Sequence, residues 1–126
     1  MIYIKPEDAI KINKKLNEMV HKGQNKINKN LIASILEQAS KQKSPEESAA
    51  IYFYRIVQDH PFFGANRRTA FILSDMFLQL NGYEFNVEKE KFMEIAYKLR
   101  NENWEYNDVL NEFKKIIVKQ KRKEYA

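Results

Sequence analysis

Two apolar stretches of helical period meet across a short break, and this limits what the chain can fold into. The first, SPEESAAIYFYRIVQD, opens as a helix start should, with Ser44 as cap, Pro45 at the first position and Glu47 at the third. It carries Ala49, Ala50, Phe53, Ile56 and Val57 at helical spacing. The second, NRRTAFILSDMFLQL, repeats Ala70, Leu73, Phe77 and Leu80, with Ile72 and Met76 beside them. So apolar a helix belongs at the centre of a bundle, and Asn81-Gly82 stops it. Between the two lies DHPFFGANRR. Pro61 biases His60 away from helical dihedrals, so His60 is expected just past one helix end, with the next helix starting at Asn66 or Arg67.

Helices flank this pair. Pro6-Glu7-Asp8 opens one that runs to about Val20 through Ile12, Leu16, Met19 and Val20. Leu31, Ile32, Ile35, Leu36 and Ala39 give another, to about Lys41. A fifth begins near Glu88 and carries Phe92, Ile95, Ala96 and Leu99. A sixth begins near Asn107 with Val109, Leu110, Phe113, Ile116 and Ile117. Ile2–Ile4 and Tyr83–Val87 are short β-prone runs. His21–Asn30, rich in Asn and Lys, reads as a loop with a small hairpin near Lys26–Asn28. The expected fold is all-α, a bundle of about six helices with minor short strands, in one domain over residues 1–126 with a basic tail from about residue 119.

Composition narrows the chemistry. Without cysteine there is no thiolate nucleophile, disulfide or cysteine-ligated metal, and two histidines do not make an imidazole-rich metal site. No apolar run approaches the roughly 18 residues of a membrane span, and the N-terminus does not read as a signal peptide, so a cytoplasmic protein with no membrane partner is expected. Net charge is +5, which favours anionic partners, but much of the excess sits in KKIIVKQKRKEYA. No basic recognition helix or helix-turn-helix spacing supports a nucleic-acid binder.

The central break has the makings of an active site. Gly64 and Ala65 have little side chain, so the local backbone amides can approach a ligand closely. A helix then starts, and its free amides and positive dipole end favour an anion. Arg67 and Arg68 suit planar phosphate recognition, and Asn66 is placed to cap the helix or bind a phosphate oxygen. Unpaired arginines at the positive end of a helix break a local rule, and such positions tend to be functional. His60, on the opposite lip, is placed to take a proton from an incoming hydroxyl. Phe62 reads as a packing anchor, and Phe63 as a second candidate anchor.

HPFFGANRRTAF resembles the signature of the Fic/Doc (Fido) superfamily, H-x-F-x-[D/E]-[G/A]-N-[G/K]-R, at His60, Phe62, Ala65, Asn66 and Arg68. Ala65, Arg67 and Thr69-Ala70 favour the Doc (death-on-curing) branch, as does Phe71 where the Fic branch carries a further arginine. The resemblance implies an all-α fold with nucleotide-dependent transfer to a protein hydroxyl. For a Doc-like toxin this is the terminal phosphate of ATP or another NTP, passed to a translation elongation factor under the control of an antitoxin in trans. For a Fic-like protein it is an adenylyl or other nucleotidyl group. Carried over by position, His60 is the general base and Phe62 the anchor. Asn66 and Arg68 bind phosphates, residues 64–68 supply amides for the anion hole, and Arg67 adds a phosphate contact. The target flap falls near Lys26, Ile27 and Asn28.

One position departs from the pattern. Where the family has the acid that helps hold Mg²⁺, this chain has Gly64, so no residue is assigned as a metal ligand and a catalytically degenerate nucleotide-binding module is an alternative. SPEES (Ser44–Ser48) does not fit the inhibitory motif of the family, which argues against inhibition in cis.

Overall fold

A computed structural model describes residues 1–20 and 27–121. Six helices are present among them: α1 (Pro6–Val20), α2 (Lys29–Ser40), α3 (Pro45–Asp59), α4 (Asn66–Leu80), α5 (Lys89–Asn101) and α6 (Tyr106–Ile116). Two three-residue strands, β1 (Tyr83–Phe85) and β2 (Ile117–Lys119), pair antiparallel with Glu84 opposite Val118. The fold is all-α with a minor β ribbon, as the sequence pattern implies.

Helix starts follow their local chemistry. At α3 the Glu47 N–H donates to Ser44 Oγ (3.1 Å), and the Ser44 hydroxyl donates to the Glu47 carboxylate (2.9 Å). This closes two polar groups on each other at the helix start. The Asn28 side chain caps α2 by accepting from Leu31 N–H (3.0 Å). Gly82, at φ 83, turns the chain out of α4 into β1, a conformation that costs glycine little.

Helices α3 and α4 pack side by side at the centre. Helix α3 also touches α2, α5 and α6, while α4 touches α1, α5 and β1. Small residues permit this closeness: Ala49, Ala50, Ala70 and Ser74 are fully buried. Ser74 donates to Ala70 O (2.7 Å) and lies 3.3 Å from Ala49 O across the helix pair. At one end an aromatic cluster joins five elements. Phe53 meets Phe113 edge-on at 5.4 Å, Phe85 meets Phe92 at 4.4 Å, and Phe71 meets Phe92 at 4.7 Å. These geometries are the ones aromatic quadrupoles favour.

Several sequence expectations change. Ile2–Ile4 forms no strand, because side chains take the place of a strand partner. Asn81 exchanges two 2.7 Å hydrogen bonds with the Ile2 backbone, and Ile4 N–H donates to the Tyr52 hydroxyl (3.3 Å). Burial pushes Tyr52 up to about 12, so it stays a neutral phenol. Ile27 bridges to Phe62. Lys26 lies outside the described residues. Lys119 ends β2, and Gln120 N–H donates to Gly82 O (2.9 Å). Leu80 is exposed, and Leu78 is buried in its place.

Phe113 is fully buried and touches three other phenyl rings. Phe113→Ala is expected to lower the unfolding free energy by about 3–5 kcal/mol, the range for truncating a core aromatic. Urea unfolding followed by circular dichroism measures it.

Candidate functional site

The loop between α3 and α4 is held at every turn. His60 leaves α3 in the left-handed region (φ 50, ψ 61), its N–H still bonded to Ile56 O at 3.2 Å. Phe62 then drops into the core, 4% exposed, beneath Ile32, Ile35 and Leu73. The segment before α2 lies along the loop: Ile27 bridges Phe62, and Asn28 N–H donates to Pro61 O (2.9 Å). Phe63 points outward and is half exposed, so only Phe62 is a buried anchor.

Two asparagines fix the rest. Asn66, the first residue of α4, donates from Nδ2 to Phe62 O (2.9 Å) and accepts from Phe62 N–H (3.2 Å). Its side chain thus shapes the loop, and neither caps α4 nor is left wholly open to a phosphate. From α1, Asn13 Nδ2 donates to Gly64 O (2.8 Å) and Thr69 Oγ1 (3.0 Å), and Asn17 Nδ2 donates to Asn13 Oδ1 (2.9 Å). Asn13, Asn17 and Thr69 are all buried. These two α1 asparagines escape sequence reasoning, although an i, i+4 polar pair following Ala9 on the inward face was the signal.

This scaffold opens the start of α4. Ala65, also left-handed (φ 56, ψ 29), makes no side-chain cap, and the first helical bond is Thr69 N–H to Ala65 O (2.9 Å). The amides of Asn66, Arg67 and Arg68 therefore have no partner within the helix. Together with His60 and Met93, residues 65–68 line a cavity of about 410 Å³. A groove of about 630 Å³ meets it at His60 and runs between Ile27–Asn30 and Pro61–Phe63. The structure thus places Ile27 and Asn28 beside His60, and His60 beside Ala65, Asn66, Arg67 and Arg68, with Gly64 turned so that its carbonyl meets Asn13.

Positive charge dominates the cavity. Arg67 and Arg68 are exposed, and neither makes an ion pair among the described residues. Arg100, from the last turn of α5, touches His60 Nε2 and lies 3.4 Å from Val57 O. It sits 40 residues from His60, with no local signal in the sequence. Partial burial, then the Arg100 and Arg67 guanidiniums, hold the His60 imidazole below its ordinary 6.5. A hydrogen bond to the Val57 carbonyl and the nearby Asp59 offset this only in part. Neutral imidazole is the form a general base needs.

Carboxylates are turned away. Asp59 pairs with Arg55 (2.7 Å), which also donates to Gln38 (2.8 Å), and Asp75 accepts from Gln79 along α4. Among the described residues no carboxylate lines the cavity, and no cluster of three metal-ligating side chains is present. The residues present do not fit a protein-held Mg²⁺; such an ion would rest on its ligand's phosphates and on water.

A family model described as the Fic/DOC family matches residues 3–78, more than half of the chain. The chain belongs to the Fic/DOC family. The matched segment contains the whole loop and α4 up to Leu78, but not Arg100. Among solved structures, this Fic/DOC chain is similar to the N-terminal Fic domain of a VirB-translocated Bep effector protein from Bartonella quintana with bound ADP. Identity is 20% and TM-score 0.52, covering 73% of this chain and 48% of that one. A second structure of that domain matches at 19% identity and TM-score 0.52, covering 73% and 46%. At this identity the likeness shows the fold, and the chain spans about half the length of those proteins. No curated protein matches it in sequence. No helix among the described residues is long and apolar enough to cross a membrane.

Two outcomes follow from the site geometry. Ala65→Gly is expected to raise stability by about 1 kcal/mol, because it removes the Cβ clash of a left-handed alanine; thermal unfolding measures it. Because the folded state depresses the His60 pKa, the unfolded chain binds that proton more readily. Stability should therefore fall as pH drops from about 6.5 through the lower folded value, then level off. His60→Gln should flatten that stretch of the stability–pH curve.

Proposed function

We propose that this chain is a Doc-like phosphotransferase, moving the terminal phosphate of a nucleoside triphosphate to a hydroxyl of a protein. One observation carries the reading: the His60 imidazole, its pKa held low, and an uncapped helix start bearing Arg67 and Arg68 line the same cavity. The phosphates would lie on the amides of residues 66–68 and on the two arginines. The hydroxyl oxygen attacks the terminal phosphorus, its proton passes to His60 Nε2, and the bond to the leaving diphosphate breaks. Arginine charge spreads over the phosphoryl oxygens as they develop charge. The ADP bound to the Bartonella quintana domain supports a nucleotide as the ligand.

Two further features support the Doc branch and the target. Phe71, one turn after Arg68, is committed to the aromatic cluster with Phe85 and Phe92, so α4 offers no further cation there. The groove beside Ile27 and Asn28 suits an extended target segment carrying the hydroxyl to His60. A translation elongation factor as target and an antitoxin acting in trans rest on the resemblance of the motif, and a place in the cytoplasm on the sequence pattern; together they complete the reading. That no carboxylate among the described residues lines the cavity favours a second reading, nucleotide binding without transfer.

The test uses purified protein with γ- or α-labelled ATP, magnesium and a lysate enriched in elongation factors. Transfer of γ label alone, lost by about 100-fold or more in His60→Ala, is expected. Transfer from the α position would make the protein a nucleotidyl transferase. Nucleotide binding with no transfer of either label would establish the second reading.

A further inference from the structure

Arg100 comes from a helix outside the segment shared with the family, yet its guanidinium meets the reactive nitrogen of His60. A guanidinium has only N–H donors, so Nε2 must present its lone pair to it. The ring proton then sits on Nδ1. The Arg100 contact thus selects one tautomer of the neutral ring.

The same contact covers the lone pair that a substrate hydroxyl needs. Nothing anionic holds Arg100 there: among the described residues it has no ion pair, and its other partner is the Val57 carbonyl at 3.4 Å. Among the described residues, the other charges facing His60 are Arg67 and Arg68 across the cavity, Lys29 along the groove and Asp59 behind it, and Asp59 is engaged by Arg55. A polyphosphate entering the cavity would offer Arg100 charge-assisted bonds, stronger than one to a neutral nitrogen.

We propose that Arg100 is a positioning residue of this site: it sets the His60 tautomer in the free protein and exchanges its hold on Nε2 for an incoming polyphosphate, uncovering the base only when the donor is present. The exchange rests on the nucleotide reading above; the hold on His60 does not.

The test is imidazole NMR on the full chain with ¹⁵N-labelled histidine, the His60 signal assigned with His60→Gln. In the free wild type, His60 should be the Nδ1–H tautomer and titrate below 6.5. Arg100→Gln should mix the tautomers and raise the titration point, and Arg100→Lys should keep part of the lowering without the tautomer bias. Tripolyphosphate or ATP should raise the His60 titration point in the wild type, and by less in Arg100→Gln. Label transfer by Arg100→Gln should fall by up to about 100-fold, the range for a misplaced base. An unchanged tautomer and titration in Arg100→Gln overturns the role of Arg100, whether or not a nucleotide binds. An intact Arg100 effect with no response to either polyphosphate overturns the nucleotide reading and the exchange, leaving the hold on His60 standing.

Discussion

The Asn66 side chain, closed on both backbone groups of Phe62, is the interaction on which the site depends. It ties the first residue of α4 to the middle of the loop. Asn13 does the same from α1, by holding the Gly64 carbonyl and the Thr69 hydroxyl at once. Buried amides of this kind are costly when unpaired and specific when paired, so they select one loop conformation. Two residues, His60 and Ala65, take left-handed dihedrals to follow that path. Such strain persists only where the surroundings over-determine it. Its product is a helix start whose amides face a cavity instead of a capping side chain.

Electrostatics then follow from what the loop excludes. Carboxylates near in sequence are directed elsewhere, Asp59 to Arg55 and Asp75 to Gln79, while Arg67 and Arg68 stand at the positive end of α4. This arrangement is unfavourable in the absence of an anion and favourable with one, a mismatch that points to polyphosphate chemistry. With partial burial, it also holds the His60 pKa below its ordinary value, so one set of cations would serve both to attract phosphate and to favour a proton acceptor beside it. The same excess of cations limits what the cavity offers a divalent metal.

The helices were legible because caps and period act locally. Ser44, Pro45 and Glu47 begin α3 as their chemistry demands, and Pro61 places His60 beyond its end. What stayed hidden depends on partners far away in sequence. On α1, Asn13 and Asn17 are buried while Ile12 is half exposed, because the loop needs amide partners more than the core needs another isoleucine there. Ile117 reads as the end of a helix, yet Ile117–Lys119 is a strand because β1 offers an edge to pair with. Among the site residues, the motif brought together His60, Phe62 and residues 64–68. Arg100 was invisible because nothing near it in sequence distinguishes it from any lysine or arginine in the last turn of a surface helix.

The most direct test of the account is an amide ¹H–¹⁵N NMR titration of the full chain with ATP. If the start of α4 is a phosphate cradle, the largest shifts will fall on the amides of Asn66, Arg67 and Arg68, with His60 responding beside them. Shifts centred instead on the lysine-rich face of α1, around Lys11, Lys14 and Lys15, or no saturable shift at all, would contradict it.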